Sequence, residues 1–101
     1  VIAFDTEEEA VAMANDSDYG LGSGVFTENL ARAHRVSSKI HSGIVWINTY
    51  RAISPISPFG GFKLSGGSRE AGIDAMHEYT RTKTTWINTS SEPMSNPFIM
   101  R

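Results

Sequence analysis

Gly22-Ser23-Gly24-Val25-Phe26, a helix-patterned run over 28–40, and then Gly43-Ile44-Val45-Trp46-Ile47-Asn48 are the residues that decide the fold. Small residues leading into Val25 and Phe26 predict a brief buried strand that its neighbours approach closely at the glycines. Thr27 is placed to cap the helix that follows. Within it Leu30, Ala33, Val36 or Ser37, and Ile40 recur at helical spacing, while Arg32, Arg35 and Lys39 fall mostly on other faces. His41-Ser42-Gly43 supplies a glycine for the helix end, and the β-branched and aromatic run after it predicts a strand covered on both faces. Strand, helix and strand at such close spacing predict a right-handed βαβ unit with a parallel pair, hence an α/β architecture.

Outward from this centre the patterns continue. Val1-Ile2-Ala3-Phe4 reads as a strand already under way. Thr6 with Glu9 three residues on forms a capping box, and the acidic turn Glu7-Glu8-Glu9 suits the positive end of a helix dipole, so a helix is expected over 7–14. Residues 15–20 are rich in Asn, Asp, Ser and Gly and stop it. Downstream, 49–69 is a long loop carrying Pro55, Pro58, Gly60, Gly61, Gly66 and Gly67; loops of this length inside compact domains are usually functional. A last helix is expected over 69–79, with Ile73 and Met76 inward and Tyr79 the third candidate. Residues 80–88 alternate as a strand, Thr82, Thr84 and Trp86 facing one way and Lys83, Thr85 and Ile87 the other. The polar tail from Thr89, with Pro93 and Pro97, is expected to be loosely ordered unless Phe98 finds a partner surface.

Composition narrows the function. With 101 residues, 40% hydrophobic and 20% charged, the chain matches neither a membrane protein nor a disordered one. No apolar run approaches the roughly 18 to 20 residues a bilayer requires, and Val1 opens the chain without a basic stretch followed by an apolar signal core, so the expected compartment is the cytoplasm. A formal charge of −2 offers no basic excess for a nucleic-acid backbone. Zero cysteines remove disulfides, thiolate metal sites and cysteine nucleophiles from these residues. A domain this small buries only about 60 to 65% of its unfolded surface, and the chain opens in an apolar run without Met; both suggest a piece of something longer.

Single motifs mostly have plain explanations. Phe59-Gly60-Gly61-Phe62-Lys63-Leu64-Ser65-Gly66-Gly67-Ser68-Arg69-Glu70 has two glycines at phosphate-loop spacing, but Gly66 is followed by Gly67-Ser68 instead of Lys and a hydroxyl residue. Gly20-Leu21-Gly22-Ser23-Gly24 lacks the third dinucleotide glycine and precedes a strand where that fingerprint follows one. His34, His41 and His77 are too scattered to suggest a metal site, and Ser65 and Ser68 show no histidine and carboxylate arrangement that would make them nucleophiles. Sequons at Asn15 and Asn88 carry little weight without a secretory signal.

The combination is more specific. Ala14-Asn15-Asp16-Ser17-Asp18-Tyr19-Gly20-Leu21, Gly24-Val25-Phe26-Thr27, Leu30-Ala31-Arg32-Ala33, Gly43-Ile44-Val45-Trp46-Ile47-Asn48, Ser57-Pro58-Phe59-Gly60-Gly61-Phe62-Lys63-Leu64-Ser65-Gly66 and Arg69-Glu70-Ala71-Gly72, in this order, resemble the C-terminal portion of the aldehyde dehydrogenase superfamily from Val1 to about Asn88. The resemblance implies an α/β fold that is a partial three-layer parallel sheet with flanking helices and a C-terminal edge strand for oligomerisation. It divides the chain into 1–79, part of a catalytic domain; 80–88, the oligomerisation strand; and 89–101, a tail.

It also implies a chemistry. Enzymes of the family oxidise an aldehyde to a carboxylic acid with NAD or NADP, through a cysteine thiohemiacetal, hydride transfer, and thioester hydrolysis with a glutamate base; an asparagine side chain and a backbone N–H hold the oxyanion. All those groups, and the cofactor domain, map upstream of Val1, which agrees with the missing cysteine, so the chain is expected to be inactive alone, with no catalytic or metal-binding residue of its own. The loop between the Trp-Ile-Asn strand and the Pro-Phe-Gly-Gly string lines the family's aldehyde tunnel, which places Arg51, Ile53 and Phe59 as substrate-binding positions. Arg51 departs from the neutral or acidic residue of many relatives, and a cation at the tunnel mouth favours an aldehyde bearing a carboxylate over one bearing a quaternary ammonium. Implied partners are the aldehyde, the remainder of the same enzyme and further copies in a dimer or tetramer, with neither nucleic acid nor membrane. The competing expectation is a non-catalytic binding or assembly module.

Overall fold

In the computed structural model, which describes residues 1–94 and 96–99, helix α1 spans Glu7–Asn15. It starts where the capping box predicts: Thr6 Oγ1 accepts from the Glu9 N–H at 3.1 Å. The Glu9 carboxylate reaches back to the Asp5 N–H at 2.9 Å. The helix ends one residue later than the sequence pattern suggests because Asn15 is a fastening point. Its side chain donates to the Lys39 carbonyl at 2.9 Å and accepts from the His41 N–H at 2.8 Å, tying the end of α1 to the end of the next helix.

The predicted βαβ unit is present. Strand β2 (Gly22–Val25) pairs in parallel with β3 (Ile44–Ile47), in the register Gly22↔Ile44 to Val25↔Ile47, and α2 (Leu30–Lys39) crosses between them. Of the apolar stripe on α2, Ala33 is 1% exposed and is the one fully buried apolar side chain among the described residues; Leu30 stands 71% exposed. The helix begins two residues later than expected. Asn29, not Thr27, is its cap, with Oδ1 accepting from the Arg32 N–H at 2.9 Å. Thr27 is taken up elsewhere: its N–H and carbonyl bind the Asn48 side-chain amide, both at 2.8 Å. Nor is Gly43 a helix terminator. The chain turns extended at Ile40, and Gly43 instead lies against Gly60, whose carbonyl oxygen any Cβ at 43 would overlap.

Three expectations need correction. In place of the expected partial three-layer parallel sheet, the described residues form two separate two-stranded sheets, the second an antiparallel pair of β1 (Tyr19–Gly20) with β4 (Phe62–Lys63). Residues 62 and 63 lie inside the stretch read as loop; the Lys63 ammonium binds the carbonyls of Asn15 and Ser17 at 2.7 and 2.8 Å, which holds β4 beside β1. The last helix, α3, is only Ala75–Tyr79, since Ala71 and Gly72 take left-handed backbone (φ +59° and +62°) that breaks a helix running from 69. Ile73, Met76 and Tyr79 are 76%, 58% and 89% exposed instead of inward.

Residues 1–4 and 80–88 form no ladder within the chain, because a strand needs a neighbour to accept its hydrogen bonds and the described residues provide none. Trp86 is 92% exposed and Phe98 93%. Of the expected tail, positions 95, 100 and 101 lie outside the described residues. The radius of gyration is 22.3 Å with extents of 73 × 31 × 27 Å, against about 13 Å for a compact domain of this length. No described helix is long and apolar enough to cross a membrane.

The helices are joined across their surface by Glu7, whose carboxylate accepts two hydrogen bonds from Arg35, both at 2.7 Å, with Arg32 at 3.5 Å. The Arg35 hydrogen bonds, followed by the charges of Arg35, Lys39 and Arg32, outweigh desolvation and hold the Glu7 carboxyl below the usual carboxylate range. A depressed folded-state pKa means that this link contributes fully above the unfolded value of about 4.3 and is lost as pH falls through the lower folded value. Carbon-detected NMR titration should find Glu7 titrating low, and Arg35→Gln should return its midpoint to the ordinary range; equal midpoints in both proteins would contradict the link. At the glycine contact, Gly43→Ala should cost about 1 to 3 kcal/mol in a denaturant titration. Gly67→Ala, where a Cβ meets open space, should leave the midpoint close to the parent's.

Candidate functional site

The loop after β3 is built from the strand's own side chains. Trp46 Nε1 donates to the Ala52 carbonyl at 2.6 Å, and the Tyr50 ring stands edge-on to Trp46 with centroids 5.3 Å apart. Asn48 (φ +53°), fixed by its amide to Thr27, turns the chain out of the strand, and Arg51 follows in the same left-handed region (φ +59°). Arg51 is exposed and makes no ion pair among the described residues. Ile53 is 75% exposed.

Phe59 sits differently. It is half-buried, and its backbone exchanges two hydrogen bonds with Glu70, N–H to carbonyl at 2.7 and 2.6 Å. With Leu21, Gly60, Gly61, Ser65 and Glu70 it lines an open concavity of about 170 Å³. The structure therefore brings Phe59 together with the glycine-rich loop and Leu21. Arg51 and Ile53, expected on the same wall, do not line this concavity.

The glycine loop is organised around two cations the sequence reading leaves unassigned. Lys63 is committed to the carbonyls at the end of α1. Arg69 Nη1 lies 2.9, 3.0 and 3.1 Å from the carbonyls of Gly61, Ser68 and Gly67, and the guanidinium carbon is 5.4 Å from the Phe62 ring centroid. Both cations are engaged by backbone oxygen, and the loop uses them to gather its own carbonyls and those at the end of α1. Ser65 is likewise employed: its Oγ accepts from the Gly20 N–H at 3.0 Å, holding β1 to the loop. A signal for Arg69 exists in the sequence: a glycine-rich turn has many carbonyls and few side chains, so a long donor beside it is the natural partner.

A second concavity, about 520 Å³, opens between α1, β2 and α2, walled by Phe4, Val11, Val25, Phe26 and Val36, with Glu7 and Arg32 among its polar lining. Among the described residues no three of His, Cys, Asp and Glu converge on a metal-sized space. These residues contain no thiol, and Ser65 Oγ is engaged by the Gly20 N–H, so what the site around Phe59 offers first is walls and shape.

A family model described as the aldehyde dehydrogenase family matches residues 1–85. A (Z)-2-((N-methylformamido)methylene)-5-hydroxybutyrolactone dehydrogenase of Acinetobacter baylyi is 57% identical over 101 residues, covering 100% of this chain and 21% of that protein. A betaine aldehyde dehydrogenase of Cereibacter sphaeroides is 46% identical over 98 residues, covering 97% of this chain and 20% of that one. Among solved structures, PnpE from Pseudomonas sp. WBC-3 superposes with a TM-score of 0.83 at 48% identity, covering 94% of this chain and 19% of its own. PnpE in complex with nicotinamide adenine dinucleotide gives 0.86, also at 48% identity, over 97% of this chain and 20% of its own. The chain spans about a fifth of the length of the curated relatives it matches.

Proposed function

The chain belongs to the aldehyde dehydrogenase family, and on that premise we propose that it is the part of an NAD(P)-dependent enzyme, oxidising an aldehyde to a carboxylic acid, that supplies substrate-tunnel wall and subunit contacts. The observation that carries the reading is Phe59: a half-buried aromatic, pinned on both backbone atoms to Glu70, at the edge of a concavity. An aromatic there shields a reactive acyl intermediate from premature water and gives an aldehyde's carbon chain an apolar surface to lie on. Ile53 extends that surface once the rest of the enzyme covers it.

The nucleophile comes from outside these residues, which contain no cysteine. NAD or NADP accepts the substrate's hydride when bound. Lys63 and Arg69, the cations of the glycine loop, are turned to backbone carbonyls, so cofactor binding is assigned to the remainder of the enzyme. Arg51, exposed and unpaired among the described residues, stands at the tunnel mouth and selects for a carboxylate on the aldehyde. Residues 80–88 pair with another copy, an assignment supported by their alternation, their lack of a ladder partner among the described residues and the exposure of Trp86 and Ile87 at 92% and 79%.

Two measurements test this. The isolated chain, given a panel of aldehydes and either cofactor, should produce no reduced-nicotinamide absorbance, whereas the full-length enzyme should; turnover by the chain alone would overturn the division of labour. In the full-length enzyme Arg51→Ala should reduce the preference for acidic over neutral aldehydes by about two- to fivefold in kcat/KM, the worth of an exposed charge pair. An unchanged preference removes Arg51 from the site.

A further inference from the structure

Resting on the reading of Phe59 as tunnel wall, we propose that Arg69 is the positioning residue of that wall, a guanidinium core around which the glycine loop is wound. Lys63 and Ser65 tie the loop outward to the end of α1 and to β1, which leaves its own turn to be held. Gly60, Gly61, Gly66 and Gly67 contribute no side chain, yet the segment must present Phe59 in one orientation. Arg69 resolves this from the inside. Three carbonyls from both arms of the loop, those of Gly61, Gly67 and Ser68, converge on its Nη1 within 3.1 Å. Carbonyl oxygens so gathered repel one another unless a cation sits among them.

The packing is equally close. A Cβ on Gly60, the residue next to Phe59, would meet Arg69 Nη1 at 2.8 Å and its Cδ at 2.9 Å, so the aliphatic stem is wedged against the wall's own backbone. The guanidinium lies over the Phe62 ring, its centre 5.4 Å from the centroid, and the Arg69 N–H donates to Glu78 Oε1 at 3.3 Å, linking the loop to α3. Phe59 is held by reciprocal backbone bonds to Glu70, the very next residue. Fixing Arg69 therefore fixes the segment on which Phe59 is hung, and Arg69 acts through Phe59 without touching the aldehyde.

The test uses the full-length enzyme and KM values for aldehydes of graded apolar bulk and for the cofactor. Arg69→Ala should raise KM for the bulkiest apolar aldehyde by about fivefold or more, with KM for the cofactor and for the smallest aldehyde moving less than about twofold. Arg69→Lys, which restores a cation with three donors but cannot stack on Phe62, should recover part of the loss. Arg69→Gln gives a second reading of the same selectivity if the alanine variant does not fold. Parallel changes in all KM values, or none, would overturn the proposal. Phe59→Ala separates the layers: if it leaves the bulky-aldehyde KM untouched, the wall reading falls and this proposal with it. If it raises that KM while the Arg69 variants do not, only the role of Arg69 falls.

Discussion

Where three stretches of backbone meet without side chains, the rest of the molecule has its orientation set. Gly20, Gly43 and Gly60 are the contact: the Gly43 N–H donates to the Gly20 carbonyl at 3.0 Å, and Gly43 rests on the Gly60 carbonyl. A Cβ at Gly20 would overlap the His41 carbonyl, as one at Gly43 would overlap that of Gly60. Bringing main chain that close is what places the glycine loop beside the βαβ unit, and hence Phe59 beside Leu21. Neither sheet is wide enough to do this by itself, each having two strands.

The remaining cohesion is polar and reaches far along the chain. Asn15 joins two helix ends, Asn48 spans to Thr27, Lys63 reaches back to Asn15 and Ser17, and Arg69 collects the loop. Each satisfies main-chain groups left over at a helix end, a strand exit or a turn, where unpaired carbonyls and N–H groups are costly once solvent is excluded. Buried apolar surface contributes little within the chain, Ala33 being its one fully covered apolar side chain among the described residues. Long polar links therefore organise a surface whose apolar parts are left for other surfaces to cover.

This explains what could be seen in the sequence and what could not. The βαβ unit and the first helix were legible because their signals are local: a period of 3.6, a capping box, a β-branched run. The true cap of α2 was missed because Thr27 and Asn29 are both good caps; Asn48 holds the Thr27 backbone at the strand exit, Thr27 Oγ1 accepts from the Asn29 N–H, and Asn29 is left to cap the helix. The shortened last helix depends on left-handed backbone at Ala71, which no propensity for alanine foretells. Residues 80–88 look like a strand in sequence and pair with nothing here, since alternation records a preference for a neighbour but not its presence. At the site, Phe59 enters through a family pattern, and the structure shows it half-buried beside the glycine loop. Arg69 is easily passed over, because a glycine-rich pattern points first to what a loop gives a ligand and only second to the long donor that holds it.

The choice of neutral partners for both loop cations has a consequence for behaviour in electrolyte. Lys63 and Arg69 are held by carbonyl dipoles at contact distance, well inside a Debye length of about 8 to 10 Å at ordinary ionic strength, and they leave no opposite net charge outside for mobile ions to compete over. The glycine loop is thereby less sensitive to the saltiness of its surroundings, while the ion pairs of Glu7, whose arginines stand half exposed, feel it more directly.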